Sequence, residues 1–337
     1  MISLIAFTRR GCLLGERLAE ELGGRLWTTD RLAPETGLPA CGKLQDWAEG
    51  RFADSEALVF VSAAGIAVRA IAPFVKDKFY DPAVVSVDEA GRFAVPLLSG
   101  HVGGANDLAR RVAELTGGQA AVSTATDVNG LFAVDQWARE QGLVLCGRAA
   151  AKAVSAALLE GKPVGVRSAW PISGAMPQGL GAEMAETGIC IGPTTAERPF
   201  AQTLHLVPGA VTLGIGCRRG TTQTVLEAAM EEFLDRAAIP AEAVRGLATI
   251  DLKRDEPGLL ALAQAHDWPI TFFTAQELAA EMGDFPPSAF VEKTTGVDNV
   301  CQRAAQRAGG HIVIPKTVCQ GVTFAAAMGP VHLSWEK

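Results

Sequence analysis

The chain has 337 residues, 48% of them hydrophobic, and a formal net charge of −7. At roughly 100–200 residues per domain, this length predicts two or three domains, each able to bury a core without staples. The acidic balance excludes the basic face of a non-specific nucleic-acid binder, yet leaves room for an anionic small molecule held by a few local Arg and Lys residues. No apolar run approaches the roughly 18 residues of a membrane helix. Arg9 and Arg10 hint at a twin-arginine signal, but Glu16 and Arg17 interrupt the apolar stretch that must follow, so no targeting segment is expected. The 7 Cys are scattered without a CxxC pair, which predicts reduced thiols, a cytoplasmic location and no structural zinc.

In chain order, 3–7 reads as a buried strand, and apolar residues at 14, 18 and 22 give 12–22 a helical face. A second strand-like run at 57–62 leads into a helix that Pro73 stops. Runs 83–88 and 93–98 flank a hairpin-like turn. Helix 105–115 places Ala105, Leu108, Ala109 and Val112 on one face, and 120–123 and 133–140 close a first α/β domain, 1–140. A smaller α/β middle segment, 141–209, carries a helix at 149–159 and strands at 163–167 and 188–191. Between those strands, the Gly/Pro-rich AWPISGAMPQGLGAE predicts a mobile surface loop. The third unit, 210–337, alternates strands at 211–216, 247–251 and 270–273 with helices at 222–237, 258–265 and 275–281. It ends with a helix at about 297–307 and strands at 312–314 and 322–326. The expected fold class is α/β: two α/β domains with mostly parallel sheets, joined by the middle segment.

The densest constellation is LLSGHVGGAND at 97–107, where glycines crowd a strand-to-helix loop. Such loops hold ligands in open α/β sheets, and helix N-terminal amides suit an anion or oxyanion. His101, with Asp88 and Glu89 of the preceding turn, fits general-base chemistry; an ordinary histidine in a glycine-lined helix entry fits equally. Arg69, on the helix after the second strand, can pair with a carboxylate or stand solvated. LGIGCRRGTT at 213–222 resembles a dinucleotide fingerprint, but Arg219 stands where the third glycine belongs and no Walker lysine follows. An anion site built from loop amides, Arg218, Arg219 and an N-cap at Thr221 or Thr222 stays open. Cys217 lies where a helix dipole can lower a thiol pKa, but no partner His is identifiable. Lys253 and Lys316 lie at strand ends, each placed to meet a ligand or a solvated salt bridge.

Together, FVSAAGIAVRAIAPFVKDK, DPAVVSVDEAGRFAVPLLSGHVGGANDLA and TATDVNGLFAVD resemble the N-terminal region of the cobalt-precorrin-5A hydrolases of anaerobic cobalamin synthesis. GIGCRRGTT, ATIDLKRDEPGLL, FVEKTTGVDNVC and IPKTVCQGVTFAAA resemble that family's C-terminal domain. The match runs in order along nearly the whole chain; SGHVGGAN and GIGCRRG are its specific blocks, and Thr249 stands where Ser is expected.

The resemblance implies a cobalt-containing, ring-contracted tetrapyrrole substrate with many carboxylate arms. Water opens its δ-lactone, and a two-carbon fragment leaves as acetaldehyde to give cobalt-precorrin-5B. Cobalt arrives with the substrate and the macrocycle receives the electron pair, so no protein-borne cofactor or metal site is expected. The resemblance carries over no catalytic residue, and roles are assigned from the chemistry of the side chains. His101 is the expected base, with Asp88 or Glu89 orienting it or serving instead, and amides near 103–105 are the oxyanion donors. The expected substrate contacts are Arg69, Ser99, Gly103, Gly104, Asn106, Arg218, Arg219, Lys253 and Lys316. A wide, flat polyanion suits a cleft between domains. A non-catalytic corrinoid carrier is the alternative, because the same cations would hold cargo; the displaced glycine counts against a nucleotide-dependent enzyme. Expected partners are the tetrapyrrole and neighbouring enzymes of the cobalamin pathway, with no nucleic acid and no membrane.

Overall fold

The computed structural model describes residues 1–77, 80–101, 103–181 and 185–336. Lys78, Val102, Ala182 and Glu183, which belong to stretches singled out above, lie outside the described residues. Among the described residues the strands form sheets of six, four, five and two strands. The chain divides into two compact units, Met1–Gln136 and Trp137–Lys337. Among the described residues no helix is long and apolar enough to cross a membrane.

In the first unit, β1 (Ile2–Ala6), β2 (Arg25–Thr28), β3 (Ala57–Val61), β4 (Ala83–Val87), β5 (Phe93–Leu98) and β6 (Gln119–Ala120) lie in the order β2-β1-β3-β4-β5-β6. Its helices are α1 (Arg9–Leu22), α2 (Ala33–Thr36), α3 (Leu44–Asp54), α4 (Ala64–Ile71), α5 (Ala105–Thr116), α6 (Ala125–Val128) and α7 (Val134–Glu140), the last running past the unit's end. The sheet is covered on both faces, which is why β3 is an unbroken apolar run, ALVFV, with every residue buried. Strand alternation sorts the core: Leu4, Val59 and Val85 pack with α1 and α5, whereas Ile5, Leu58, Phe60 and Val84 pack with Trp47, Phe52 and Ile71 from α3 and α4. Neither β2 nor α3 is anticipated from the sequence. Helix α3 buries only Trp47, Ala48 and Phe52, too few to stand out as a periodic stripe.

Two pairings decide where the functional loops go. Strands β4 and β5 form an antiparallel hairpin, Val84 facing Leu98 and Val87 facing Ala94, so the turn at 88–92 and the loop after Leu98 emerge at opposite edges of the sheet. A five-residue strand separates them by about 17 Å. Strands β5 and β6 are parallel, so the segments that follow them, 99–104 and 121–135, emerge at the same edge.

In the second unit, β7 (Leu143–Cys146), α8 (Arg148–Leu159), β8 (Gly165–Ser168), β9 (Ile172–Ser173), β10 (Thr187–Ile191) and β11 (Gln202–Pro208) come first. All but β9 and α8 form a sheet in the order β7-β11-β10-β8. Then follow β12 (Val211–Gly216), α9 (Gln223–Ala237), β13 (Val244–Ile250), α10 (Pro257–Ala265), β14 (Ile270–Phe273), α11 (Ala275–Ala279), α12 (Ala289–Thr295), α13 (Val300–Gly309), β15 (His311–Cys319), β16 (Val322–Met328) and β17 (Leu333–Ser334). This sheet has the order β14-β13-β12-β16-β15. The expected parallel pairing holds for β12, β13 and β14. Strand β16 is antiparallel to both β12 and β15; the two-residue link at Gln320 and Gly321 is too short for a parallel crossover from β15.

The middle segment belongs to the same compact unit as the C-terminal sheet. Strand β11 runs almost directly into β12, and Val207 shares one core with Val211, Leu213 and Phe233. Part of the Gly/Pro-rich loop, read from the sequence as mobile, is tied down: β9 pairs with β17, and Ser173 Oγ donates to Leu333 O at 3.1 Å. Helix α13 lies directly on β12, where a Cβ on Gly214 would stand 1.8 Å from Cys301 O.

Candidate functional site

The common edge after β5 and β6 assembles a polar cluster around His101. Its Nε2 lies 2.7 Å from Asp127 Oδ2 and 3.2 Å from Thr126 Oγ1, and its Nδ1 lies 3.4 Å from Asp135 Oδ1. The side chains of His101 and Asp127 are only 14% and 11% exposed, which strengthens their interaction over one in open water. Asn106 Nδ2 donates to Asp127 Oδ2 at 3.0 Å, and the Arg110 guanidinium grips Asp127 Oδ1. The Asp135 carboxylate, and then Asp127, hold the His101 pKa above its ordinary 6.5 against the opposing effect of burial. Burial alone would raise the Asp127 pKa, but Arg110 and His101 outweigh it and hold the carboxyl below 3.8. Carboxylates only accept, so flanking both ring nitrogens with them favours the doubly protonated imidazolium.

The acids expected beside His101 are elsewhere. Asp88 closes its own hairpin turn, accepting from the amides of Ala90 at 2.9 Å and Phe93 at 2.7 Å. Glu89 accepts from Thr8 Oγ1 at 2.6 Å. Both sit across the strand length from His101, and Asp127 and Asp135 take the place expected for them. The Gly-rich loop is also spent internally. Ser99, buried and in the left-handed region (φ 56), donates its hydroxyl to Asp81 O at 2.9 Å rather than facing a substrate. Gly103 lets the loop fold back: a Cβ there would stand 2.4 Å from Ser99 Cβ. The amides of Gly104 and Ala105, expected as oxyanion donors, bond His101 O and Ser99 O at 3.1 Å each. Asn106 is 2% exposed and serves Asp127 and Thr124. Arg69 is exposed on α4, with Nη1 on Gly65 O at 3.3 Å, and has no contact with the cluster among the described residues.

The second unit brings four expected cations together. Arg218, Arg219, Lys253 and Lys316 line one cavity of about 620 Å³ at the carboxyl ends of β12 and β13, the ligand edge of an open α/β sheet. Ile250, Val291, Val300 and Phe290 supply apolar wall. Helix α12 gives Phe290, Val291, Thr294 and Thr295 to this wall, although no residue of α12 is buried. The cations are not equivalent. Lys253 Nζ pairs with Glu256 Oε2 at 3.1 Å, and Arg219 bonds Asp255 Oδ2 at 3.4 Å and Leu252 O at 3.1 Å. Among the described residues, the Arg218 and Lys316 side chains have neither an ion pair nor a hydrogen bond. Glu256, 2% exposed, also accepts from the Gly220 amide. Burial would raise its pKa, but that amide and Lys253 hold it below 4.5. The loop amide expected to bind a ligand anion is thus occupied by the protein's own carboxylate.

Three stretches match known families: residues 46–127 Cobalamin synthesis G N-terminal, 132–208 Cobalamin biosynthesis central region, and 211–327 Cobalamin synthesis G C-terminus. The chain is 35% identical to the cobalt-precorrin-5A hydrolase of Salmonella typhimurium over 98% of both chains. It is 30% identical to that of Priestia megaterium over 83% of this chain and 80% of the relative. The chain belongs to the cobalt-precorrin-5A hydrolase family. Protein CobE of a Sinorhizobium species is 35% identical over 41% of this chain and 90% of its own length. A solved cobalamin biosynthesis protein G homologue from Sulfolobus solfataricus aligns over 96% of each chain at 20% identity, with a TM-score of 0.42.

The two specific blocks of this cobalt-precorrin-5A hydrolase family member fall on the two places just described. SGHVGGAN builds the His101 loop and GIGCRRG a rim of the cavity. Thr249 keeps a hydroxyl where Ser is expected, donating to Ile215 O at 2.7 Å. Cys217 is a thiol whose pKa burial raises, Lys253 opposing, which argues against a nucleophilic role. Burial pushes Cys301, also at the cavity, up to about 11. Asp127, Asp135 and Arg110 were not singled out from the sequence. TATDVNGLFAVD carries both acids, and the signal for them is the parallel return of β6 to the edge where β5 ends.

Proposed function

We propose that the chain is a cobalt-precorrin-5A hydrolase, opening the δ-lactone of the ring-contracted cobalt tetrapyrrole and releasing acetaldehyde to give cobalt-precorrin-5B. The observation that carries this reading is its identity, along almost its full length, with a curated cobalt-precorrin-5A hydrolase. The cavity of the second unit adds the chemistry of binding. The Arg218 and Lys316 heads, without an ion pair or hydrogen bond among the described residues, receive substrate carboxylates and the apolar wall receives the macrocycle, while Arg219 and Lys253 contribute charge from fixed positions.

His101 supplies proton transfer. Its carboxylate neighbours keep the ring protonated to higher pH than a free histidine, which favours the imidazolium as the proton donor. Water adds to the lactone carbonyl, the acyl C–O bond breaks, and the imidazolium protonates the departing alkoxide from Nδ1, whose 3.4 Å approach to Asp135 is the longer of its two carboxylate contacts. The neutral ring then takes the proton of the new hydroxyl. The C–C bond to the two-carbon fragment breaks, the electron pair passes to the macrocycle, and acetaldehyde leaves. No protein-borne cofactor enters this scheme, because the cobalt is part of the substrate. A cytoplasmic location and transfer of the product to a neighbouring pathway enzyme belong to the same proposal.

Anaerobic incubation with the lactone intermediate, with acetaldehyde and the opened corrinoid both measured, tests the reading. Stoichiometric acetaldehyde is expected. A tetrapyrrole that binds tightly and returns with its lactone intact would instead mark a carrier.

A further inference from the structure

Asp127 is held at both oxygens. Oδ2 meets His101 Nε2 and Asn106 Nδ2, at 2.7 Å and 3.0 Å, and Oδ1 takes the Arg110 guanidinium. The two groups that aim it, Asn106 and Arg110, stand four residues apart on α5 and so share one face of the helix. Arg110 is steadied in turn by Asp107 at 3.0 Å, and Gln136 Nε2 reaches Asp107 at 3.1 Å. A continuous polar chain therefore runs from Gln136 through Asp107, Arg110 and Asp127 to His101. The ring faces Asp127 and Thr126 at Nε2 and Asp135 at Nδ1, and Asp107 and Arg110 lie one step behind. A carboxylate that cannot rotate fixes the plane of the ring that donates to it and holds that ring's proton on the facing nitrogen.

We propose that Asp127 is a positioning residue for the hydrolysis: a carboxylate locked by Arg110 and Asn106 that fixes the His101 ring and its Nε2 proton. Arg110, although 40% exposed, serves this lock and not the substrate. The inference rests on the reading of His101 as the proton-transfer group, and its test separates the two.

The full-length protein, with ring nitrogens labelled at histidine, is titrated by NMR without substrate as wild type, Asp127→Asn, Asp127→Glu and Arg110→Gln. The same proteins are then followed in single-turnover lactone opening. Asp127→Asn is expected to lower the pH at which His101 loses its proton and to slow opening by about 10–100-fold, with substrate affinity within about twofold. That loss sits at or below the low end of a complete loss of acid–base help. Asp127→Glu restores part of both, and Arg110→Gln gives a smaller change in the same direction. If the His101 titration is unchanged in Asp127→Asn, the positioning inference fails even if turnover falls. If the titration shifts but lactone opening does not slow, the His101 reading fails and the inference with it. An Arg110→Gln enzyme with weakened substrate affinity and an undisturbed ring would make Arg110 a substrate contact and overturn its place in the lock.

Discussion

Arg218 and Arg219 are neighbours in sequence and opposites in circumstance. Arg219 already has Asp255 and the Leu252 carbonyl, whereas Arg218 has no such partner among the described residues. A charged hydrogen bond contributes roughly 1.5–3 kcal/mol, so Arg218→Ala is expected to weaken tetrapyrrole binding roughly 10-fold or more. Arg219→Ala should cost less, because its guanidinium is already shared with Asp255 and the Leu252 carbonyl. Titration of the macrocycle's absorbance against each variant checks the order. At His101 the prediction concerns pH. Its raised pKa means that a stabilising contribution is complete below about 6.5, the unfolded value, and is lost as pH rises through the folded value. Asp127 works the other way, since its lowered pKa gives a contribution present above 3.8 and lost as pH falls through the folded value. Urea midpoints across pH should therefore decline on both sides for the wild type, and His101→Gln should lose the decline on the alkaline side. Lactone opening should weaken over the same alkaline range, because the step needs the imidazolium.

Elements show why some of this was legible and some was not. Strand β3 is readable because five buried apolar residues in a row describe a strand covered on both faces. Strand β6 is only two residues long, below any periodicity, yet its parallel pairing brings Asp127 and Asp135 to His101. The hairpin of β4 and β5 is legible in the sequence, but its antiparallel pairing sets Asp88 and Glu89, near His101 in sequence, a strand length away from it in space. Lys253 was legible as a cation just past the end of β13; Lys316, expected after a strand at 312–314, lies instead inside β15, which continues to Cys319, and the Lys253–Glu256 pair was not legible because it depends on the turn between them. Helix–strand contact also yields a contrasting pair of predictions. Gly214→Ala drives a methyl into Cys301 O on α13 and should destabilise by about 1–3 kcal/mol or more. Gly50 lies inside α3 with nothing within 4 Å of a Cβ, so Gly50→Ala should stabilise by up to about 1 kcal/mol. Chemical denaturation of both variants would measure each.

At the scale of the molecule, an acidic chain, net −7, is proposed to bind a polyanion. Local charge decides this: the Debye length is about 8 Å at physiological salt, so the cavity's cations act at contact range while distant acids are screened. Binding should weaken as salt is raised from about 50 to 500 mM, and less steeply in Lys316→Ala, as affinity measurements over that range would show. The chain divides into its compact units between Gln136 and Trp137. Two sheets lie on either side of residue 209, and the apolar residues flanking it, Val207 and Val211, fill one core.

Helix α12 forms part of the cavity wall without burying a residue, and Phe290 is 73% exposed. A helix that short, held by so little apolar contact, opens at low free energy. Its amides should therefore exchange with deuterated solvent far faster than those of β12 and β13 on the opposite side of the same cavity. A macrocycle resting on Phe290 and Val291 would supply the missing apolar partner. Slowed exchange confined to α12 would then read out occupancy of the cavity without any turnover.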